Sequence, residues 1–208
     1  MTVDVRAEQP PFEAALGSAL ERVAPVVRGH LAPSVATRRY EGKLRRIWRR
    51  GGGPAGRLLA WLLGLHARPG EGPGSPVQLE STIAACPGGA THRWTRHLAL
   101  PSGGVKSVGL LRFDPARGCL RDRTGRGGWL EVELFVEVAE DGAVIMRSGR
   151  QWLRLGPVRL PIPRLLAGVS RAREWQTAAG TLGLALDVQQ PLLGVSAGYE
   201  VELAEVIA

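Results

Sequence analysis

The chain has 208 residues, 44% apolar and 22% charged, a globular composition that excludes a wholly disordered chain. Its net charge of +8 rests on 25 arginines and only 2 lysines. No apolar run approaches the roughly 20 residues that a membrane-spanning helix needs, and the two cysteines, Cys86 and Cys119, are too few and too far apart for a disulfide framework or a cysteine zinc site.

In chain order, Met1 to Glu13 carries Asp4, Glu8 and Glu13 and has no apolar stretch of the kind that forms a secretory signal, so a reducing cytoplasm is the expected compartment. Phe12, Leu16, Leu20, Val23 and Val27 recur at helical spacing and predict helix over 11–31, broken at Pro25. Thr37 to Arg50 reads as a basic, extended segment. Gly51-Gly52-Gly53 breaks it, and Pro54 opens a predicted second helix to His66 with Leu58, Trp61, Leu62 and Leu65 on one stripe.

From Pro76 the period changes to two. Val77, Leu79, Ser81, Ile83 and Ala85 share one face, and so do His92, Trp94, Arg96, Leu98 and Leu100. A strand is expected over 105–113. Leu130, Val132, Leu134, Val136 and Val138 then line one face, with Glu131, Glu133 and Glu137 on a face expected to be wet. Asp141-Gly142 is a hairpin turn signal, and the strand that follows carries Gly149 as a candidate bulge. A short helix or turn is expected over 161–169, then strands over 172–177, 181–189 and 195–203.

Short turns between successive strands imply antiparallel pairing. The expected fold is α+β in one domain, residues 1–208. A large curved antiparallel sheet of about eight strands, like a half-barrel, would hold the N-terminal helix and the second helix in its concave side.

Motifs for chemistry are sparse. Gly51 to Gly56 matches G-x-G-x-x-G, but the arginine-rich stretch before it cannot be a strand buried on both faces, and Pro54 removes an N–H from any phosphate cradle. His92 and His97 are five apart on a strand and point to opposite faces, which defeats joint metal binding. No nucleophile-elbow, zincin or phosphate-loop pattern occurs, and neither a cofactor nor a metal is expected. Eight basic residues lie between Arg38 and Arg57 against Glu41 alone, so nearly all the net charge sits in one segment. With few interleaved aromatics and no binding motif, this segment argues against nucleic acid as partner. It is either a solvated strand face or a docking surface, with Arg45, Arg46, Arg49, Arg50 and Trp61 as its candidate contacts to an anionic membrane or a protein partner. Trp94 with Arg96, and Arg150 with Trp152, each place an arginine and an indole two apart on one strand face. Such pairs fit either a polar handle in an apolar pocket or a sheet rim.

The stretch Leu155-Gly156-Pro157-Val158-Arg159-Leu160-Pro161-Ile162-Pro163-Arg164-Leu165-Leu166-Ala167, followed by Ala172-Arg173-Glu174, Leu186-Asp187-Val188, Pro191-Leu192-Leu193-Gly194 and Tyr199, resembles a bacterial family called domain of unknown function 4166. Ala24 to Arg28, His30, Arg39 to Gly42, Leu58 to Leu65 and Trp94 to Arg96 fit the same resemblance. Members often sit C-terminal to saccharopine-dehydrogenase-like or short-chain-dehydrogenase-like proteins. The resemblance therefore implies an accessory domain and an oxidoreductase as partner, without bringing a dehydrogenase activity. Gly180-Thr181-Leu182 and Arg123 to Gly128 depart from the family pattern.

The leading expectation is a non-catalytic module that binds an apolar or amphipathic small molecule in a curved-sheet cavity. Trp94, Arg96, Arg150, Trp152, Arg173, Glu174 and Tyr199 are its candidate lining. The alternative is an interaction module that docks an oxidoreductase or an anionic membrane through Arg38 to Arg57. A third reading is an enzyme that uses Glu174 or Asp187 with Arg173.

Overall fold

A computed structural model describes residues 9–33, 37–51, 53–54, 72–86, 89–101, 103–190, 192 and 194–206. Trp61 and nearly all of the predicted helix over 54–66 lie outside the described residues. Two short helices come first. α1 (Pro11–Leu16) and α2 (Pro25–Leu31) each begin on a proline, whose fixed φ and missing N–H suit the first helical position. Gly17, at φ 53°, ends α1, and a 3-10 turn (Gly17–Arg22) leads on to α2.

Eleven strands follow among the described residues: β1 (Thr37–Arg50), β2 (Pro76–Cys86), β3 (Gly89–Leu100), β4 (Gly103–Asp114), β5 (Cys119–Thr124), β6 (Leu130–Val138), β7 (Val144–Leu155), β8 (Val158–Pro161), β9 (Val169–Gln176), β10 (Leu182–Gln190) and β11 (Val195–Glu205). Every pairing is antiparallel, in the order β6-β5-β4-β3-β2-β1-β11-β10-β9-β7-β8, and β6 also pairs with β7. That last pairing joins the two ends of the sheet. The fold is therefore a closed ten-stranded barrel with β8 as an appended strand. This corrects the expected α+β half-barrel of about eight strands: the protein is mostly β, and closure removes the edges an open sheet would leave exposed.

β7 makes closure possible by dividing one of its edges. Val144–Arg147 pair with β9, and Trp152–Leu155 pair with β8. Between them the β6–β7 register slips around Glu133, so Gly149 and Arg150 form the bulge that Gly149 foretold. Glu133 Oε2 accepts the Arg150 N–H at 3.1 Å, which gives this carboxylate a structural reason to be buried. The seam is sealed by the chain after β8. The Ile162 N–H donates to Gln151 O (2.9 Å), the Gln151 amide donates to Gly168 O, and the Ser170 N–H donates to Ser148 Oγ (2.8 Å).

The expected wet face of β6 is not wet. Glu131 is 4% exposed and meets Arg121 (3.1 Å), Arg154 (2.8 Å) and Arg159 (2.7 Å), while Glu133 meets Arg117 at 3.0 Å. Burial alone would raise the Glu131 pKa; the three guanidinium groups outweigh it and hold the carboxyl below its ordinary range.

The helices plug one end of the barrel. Phe12, Val27 and Leu31 are fully buried against the inward faces of the strands, joining Tyr40, Leu44, Leu111, Leu120, Leu182 and Leu203 in one core. Cys119 is buried and Cys86 half-buried, both as free thiols. Among the described residues no helix is long and apolar enough to cross a membrane.

Candidate functional site

Alternation along each strand sends every second side chain into the barrel. Ten strands enclose more width than side chains alone fill, and a cavity of about 240 Å³ remains between the helical plug and the opposite end. Leu98, Leu100, Val105, Leu130, Leu134, Met146, Leu184 and Leu186 give its walls an apolar surface. At the end away from the helices, Gln151 of β7 and Ile162, Leu166 and Gly168 of the chain after β8 also line the cavity.

The floor is different. Trp94 lies between two rings, Phe12 of α1 (centroids 5.4 Å apart, planes at 17°) and His30 of α2 (5.1 Å, 24°). The Trp94 Nε1–H donates to His92 Nε2 at 2.9 Å, so that nitrogen carries no proton and the neutral ring is protonated on Nδ1. Ser81 Oγ lies 2.6 Å from the same nitrogen. Burial lowers the His92 pKa to about 3. Ser81 and His92 are fully buried and do not line the cavity, so this Ser–His pair locks the plug and does not offer a nucleophile to a ligand.

Above Trp94, polar side chains converge from five elements: Arg96 from β3, Asp122 from β5, Glu174 from β9, Tyr199 from β11 and His30 from α2. The Arg96 guanidinium carbon is 5.1 Å from the Trp94 ring centre. Glu174 and His30 are both fully buried, with Oε2 and Nε2 3.8 Å apart, too far for a hydrogen bond. Arg96 Nε, Asp122 Oδ1 and both carboxyl oxygens of Glu174 have no hydrogen-bond partner among the described residues.

Burial is the largest influence on each group here. It raises Glu174 to about 8 and Asp122 to about 6, with Arg96 opposing both shifts. It also lowers His30 well below its ordinary value, helped by the positive charge of Arg96. For Arg96 the effect of burial is outweighed by Tyr199, Asp122 and Glu174, and its pKa rises. At neutral pH the floor therefore holds one cation, Arg96, one ionised acid, Asp122, and a protonated Glu174 beside a neutral His30. Such a set presents both hydrogen-bond donors and acceptors to an apolar chamber. Among the described residues no three His, Cys, Asp or Glu side chains are placed to hold a metal ion.

Of the residues singled out from sequence, Trp94, Arg96, Glu174 and Tyr199 meet at this floor. Arg150, Trp152 and Arg173 do not. The bulge at Gly149 turns Gln151 inward and puts Arg150 and Trp152 on the outer surface, where Arg159 stacks 3.8 Å from the Trp152 ring centre. Arg173 is adjacent to Glu174 and so faces outward, bonded to Asp141. Asp187 lies away from the cavity, accepting from the Trp48 indole at 3.3 Å. Asp122 and His30 were missed. Asp122 shares a face with Leu120 and Thr124 in a strand not read from sequence, and His30 stands three residues after Val27 on the buried face of α2.

The basic strand β1 lies beside acidic β11. Arg38 pairs with Glu205 (2.8 Å), Arg46 with Glu200 (3.0 Å) and Arg45 with Glu202, while Arg39 meets Glu80 of β2 at 3.4 Å. Four of the segment's charges are thus matched by carboxylates. Arg49 and Arg50 lie at the end of β1 opposite Ala197 and Ser196, away from the helices.

No curated protein matches the chain. A family model described as Domain of unknown function (DUF4166) matches residues 24–203, a stretch that takes in α2 and the whole circuit of the barrel but leaves out α1. With most of its length so matched, the chain belongs to the DUF4166 family.

Proposed function

We propose that the protein is a binding module for an apolar or amphipathic small molecule held inside the barrel. The observation that carries this reading is the pairing of an apolar chamber with a floor of buried polar atoms that have no hydrogen-bond partner among the described residues. A buried unsatisfied polar group costs on the order of 1–3 kcal/mol, and a ligand that satisfies several at once recovers that cost on binding. Native mass spectrometry of the purified protein, before and after organic extraction, tests it. A discrete adduct removed by the solvent is expected. A single unliganded mass with no extractable compound would sink the reading.

A second reading, contact with an anionic membrane, is supported by the end of the barrel away from the helices. Leu165 is 76% exposed and Leu192 61%, and the Gln190 amide, two residues before Leu192, donates to Leu165 O at 2.8 Å. Gly51 packs against Gly194, which brings Arg50 to the same end. Apolar side chains beside exposed arginine suit a headgroup layer. Co-sedimentation with phosphatidylserine vesicles should fall as salt rises. Absent or salt-independent binding would refute it.

A further inference from the structure

We infer that the chain sits end-on on an anionic bilayer, with the hairpin β7–β8 entering the boundary between headgroups and acyl chains and Trp152 at headgroup level. This rests on the membrane reading and names the element that enters and the depth it reaches.

Exposed apolar side chains are gathered at one end of the barrel. The Ala24 N–H, just before α2, donates to Gly142 O at 3.0 Å, so β7 begins at the helices and ends, together with β8, away from them. Of the nine large apolar side chains exposed among the described residues, only Phe135 and Val206 lie in the helical half, and the other seven lie at the far end. Leu155, Val158 and Leu160 of the hairpin are three of them. Directly paired residues share a face. Leu155 pairs with Val158 and Leu153 with Leu160, so these four make one apolar face, and Trp152, Arg154 and Arg159 take the other. β6 starts at Leu130, opposite Leu153, so Leu155 and Val158 stand past the rim there. Closure of the barrel does not require β8. Apolar groups gathered on an appended ribbon mark a contact surface.

Charge selects a membrane as the occupant. The exposed carboxylates Glu21, Glu41, Glu137, Glu140, Asp141 and Glu205 all lie in the helical half. Arg49, Arg50 and Arg164, at the far end, form no ion pair among the described residues. This asymmetry turns the far end toward an anionic surface. Trp152 lies three residues before Leu155, with the Arg159 and Arg121 guanidinium carbons 3.8 and 5.3 Å from its ring centre. An indole flanked by arginine suits the headgroup layer. The outer edge of β8 has no neighbouring strand among the described residues, and its free backbone groups must stay hydrated. Entry therefore stops at the headgroup boundary, about 5–10 Å deep.

The test uses the full chain and vesicles of phosphatidylcholine with phosphatidylserine. Leu155→Glu is expected to weaken co-sedimentation at least about tenfold, and Val206→Glu, at the helical end, to leave it within about twofold. Val158→Glu serves if Leu155→Glu does not unfold cooperatively. Brominated phosphatidylcholine should quench the tryptophan fluorescence of the wild type more than that of Trp152→Phe, and more with bromines near the headgroup than with bromines deep in the chain. Wild-type binding that the hairpin variants leave unchanged would overturn the insertion and leave the membrane reading standing. Equal quenching in Trp152→Phe, or stronger quenching by the deep bromines, would do the same. A wild type that ignores the vesicles and elutes as a dimer, with Leu155→Glu restoring the monomer, would assign this face to a second copy and overturn both. Absent or salt-independent vesicle binding by a monomeric wild type would also overturn both.

Discussion

Glu174 gives the floor a signature readable in folding stability. Burial moves its pKa from an ordinary 4.5 to about 8, against the pull of Arg96. A folded pKa above the unfolded one means that the native chain binds the proton more tightly. The associated stability is fully present below about pH 4.5 and is lost as pH rises through about 8. The shift corresponds to about 5 kcal/mol over the full window, of which about 3 kcal/mol falls between pH 5 and pH 7.5. Glu174→Gln keeps the shape and removes the titration. His30, Tyr40, Arg96 and Asp122, the groups whose charges act in this chamber, are present in both proteins and cancel to first order in the difference. Urea unfolding of both proteins at pH 5, 6, 7 and 7.5 should show the variant gaining on the wild type by about 3 kcal/mol across the series. A difference that stays constant within about 0.5 kcal/mol would refute the claim that this carboxyl is held protonated by burial.

Other expectations follow from the same geometry. His92 has the opposite sign: its folded pKa near 3 lies below its ordinary 6.5, so stability is lost as pH falls from about 6.5, and a pH series on Glu174→Gln should show acid destabilisation beginning there. Phe12→Ala removes a fully buried ring stacked on Trp94 and should cost about 3–5 kcal/mol in denaturant unfolding, despite lying outside the family match. Gly198→Ala would place a Cβ 2.1 Å from Leu186 O and 2.4 Å from the Trp48 ring, and it should abolish soluble folded protein where Gly118→Ala, with open space around it, costs only backbone strain. Glu131→Leu strips the shared partner from Arg121, Arg154 and Arg159 and should lower the melting temperature by several degrees without changing ligand binding.

Strand existence was legible wherever the alternation was clean. β2, β3 and β11 fall where period two placed them, β1 falls on the basic segment read as extended, and the bulge at Gly149 and the turn at Asp141-Gly142 follow from glycine chemistry. Two strands were hidden. β5 alternates Leu120, Asp122 and Thr124 inward with Arg121 and Arg123 outward, so its buried face carries a charge where a hydrophobic pattern was sought. β8 has four residues, all exposed, and presents no pattern at all. Closure depends on β1 pairing with β11 and on β7 pairing with β9 past β8, choices made between segments distant in sequence, and no local period encodes them. The same limit explains the site. Spacing shows which residues share a face, not which face is enclosed. That rule served Trp94 and Arg96 and failed for Arg150 and Trp152 beyond the bulge. The wet reading of Glu131 failed because its arginine partners come from β5, β7 and β8. The basic segment looked unopposed because its carboxylates sit on β11, which is last in sequence and adjacent in space.

The central claim, that the barrel interior is where a ligand binds, is tested most directly by native mass spectrometry of decanol occupancy in the wild type and in Ala172→Phe. Ala172 lines the cavity from β9, and a ring there fills the chamber without touching Arg96 chemistry. One decanol per wild-type chain and none in a variant that unfolds cooperatively is the predicted result. Equal occupancy in the two proteins, or none in either, would contradict the account.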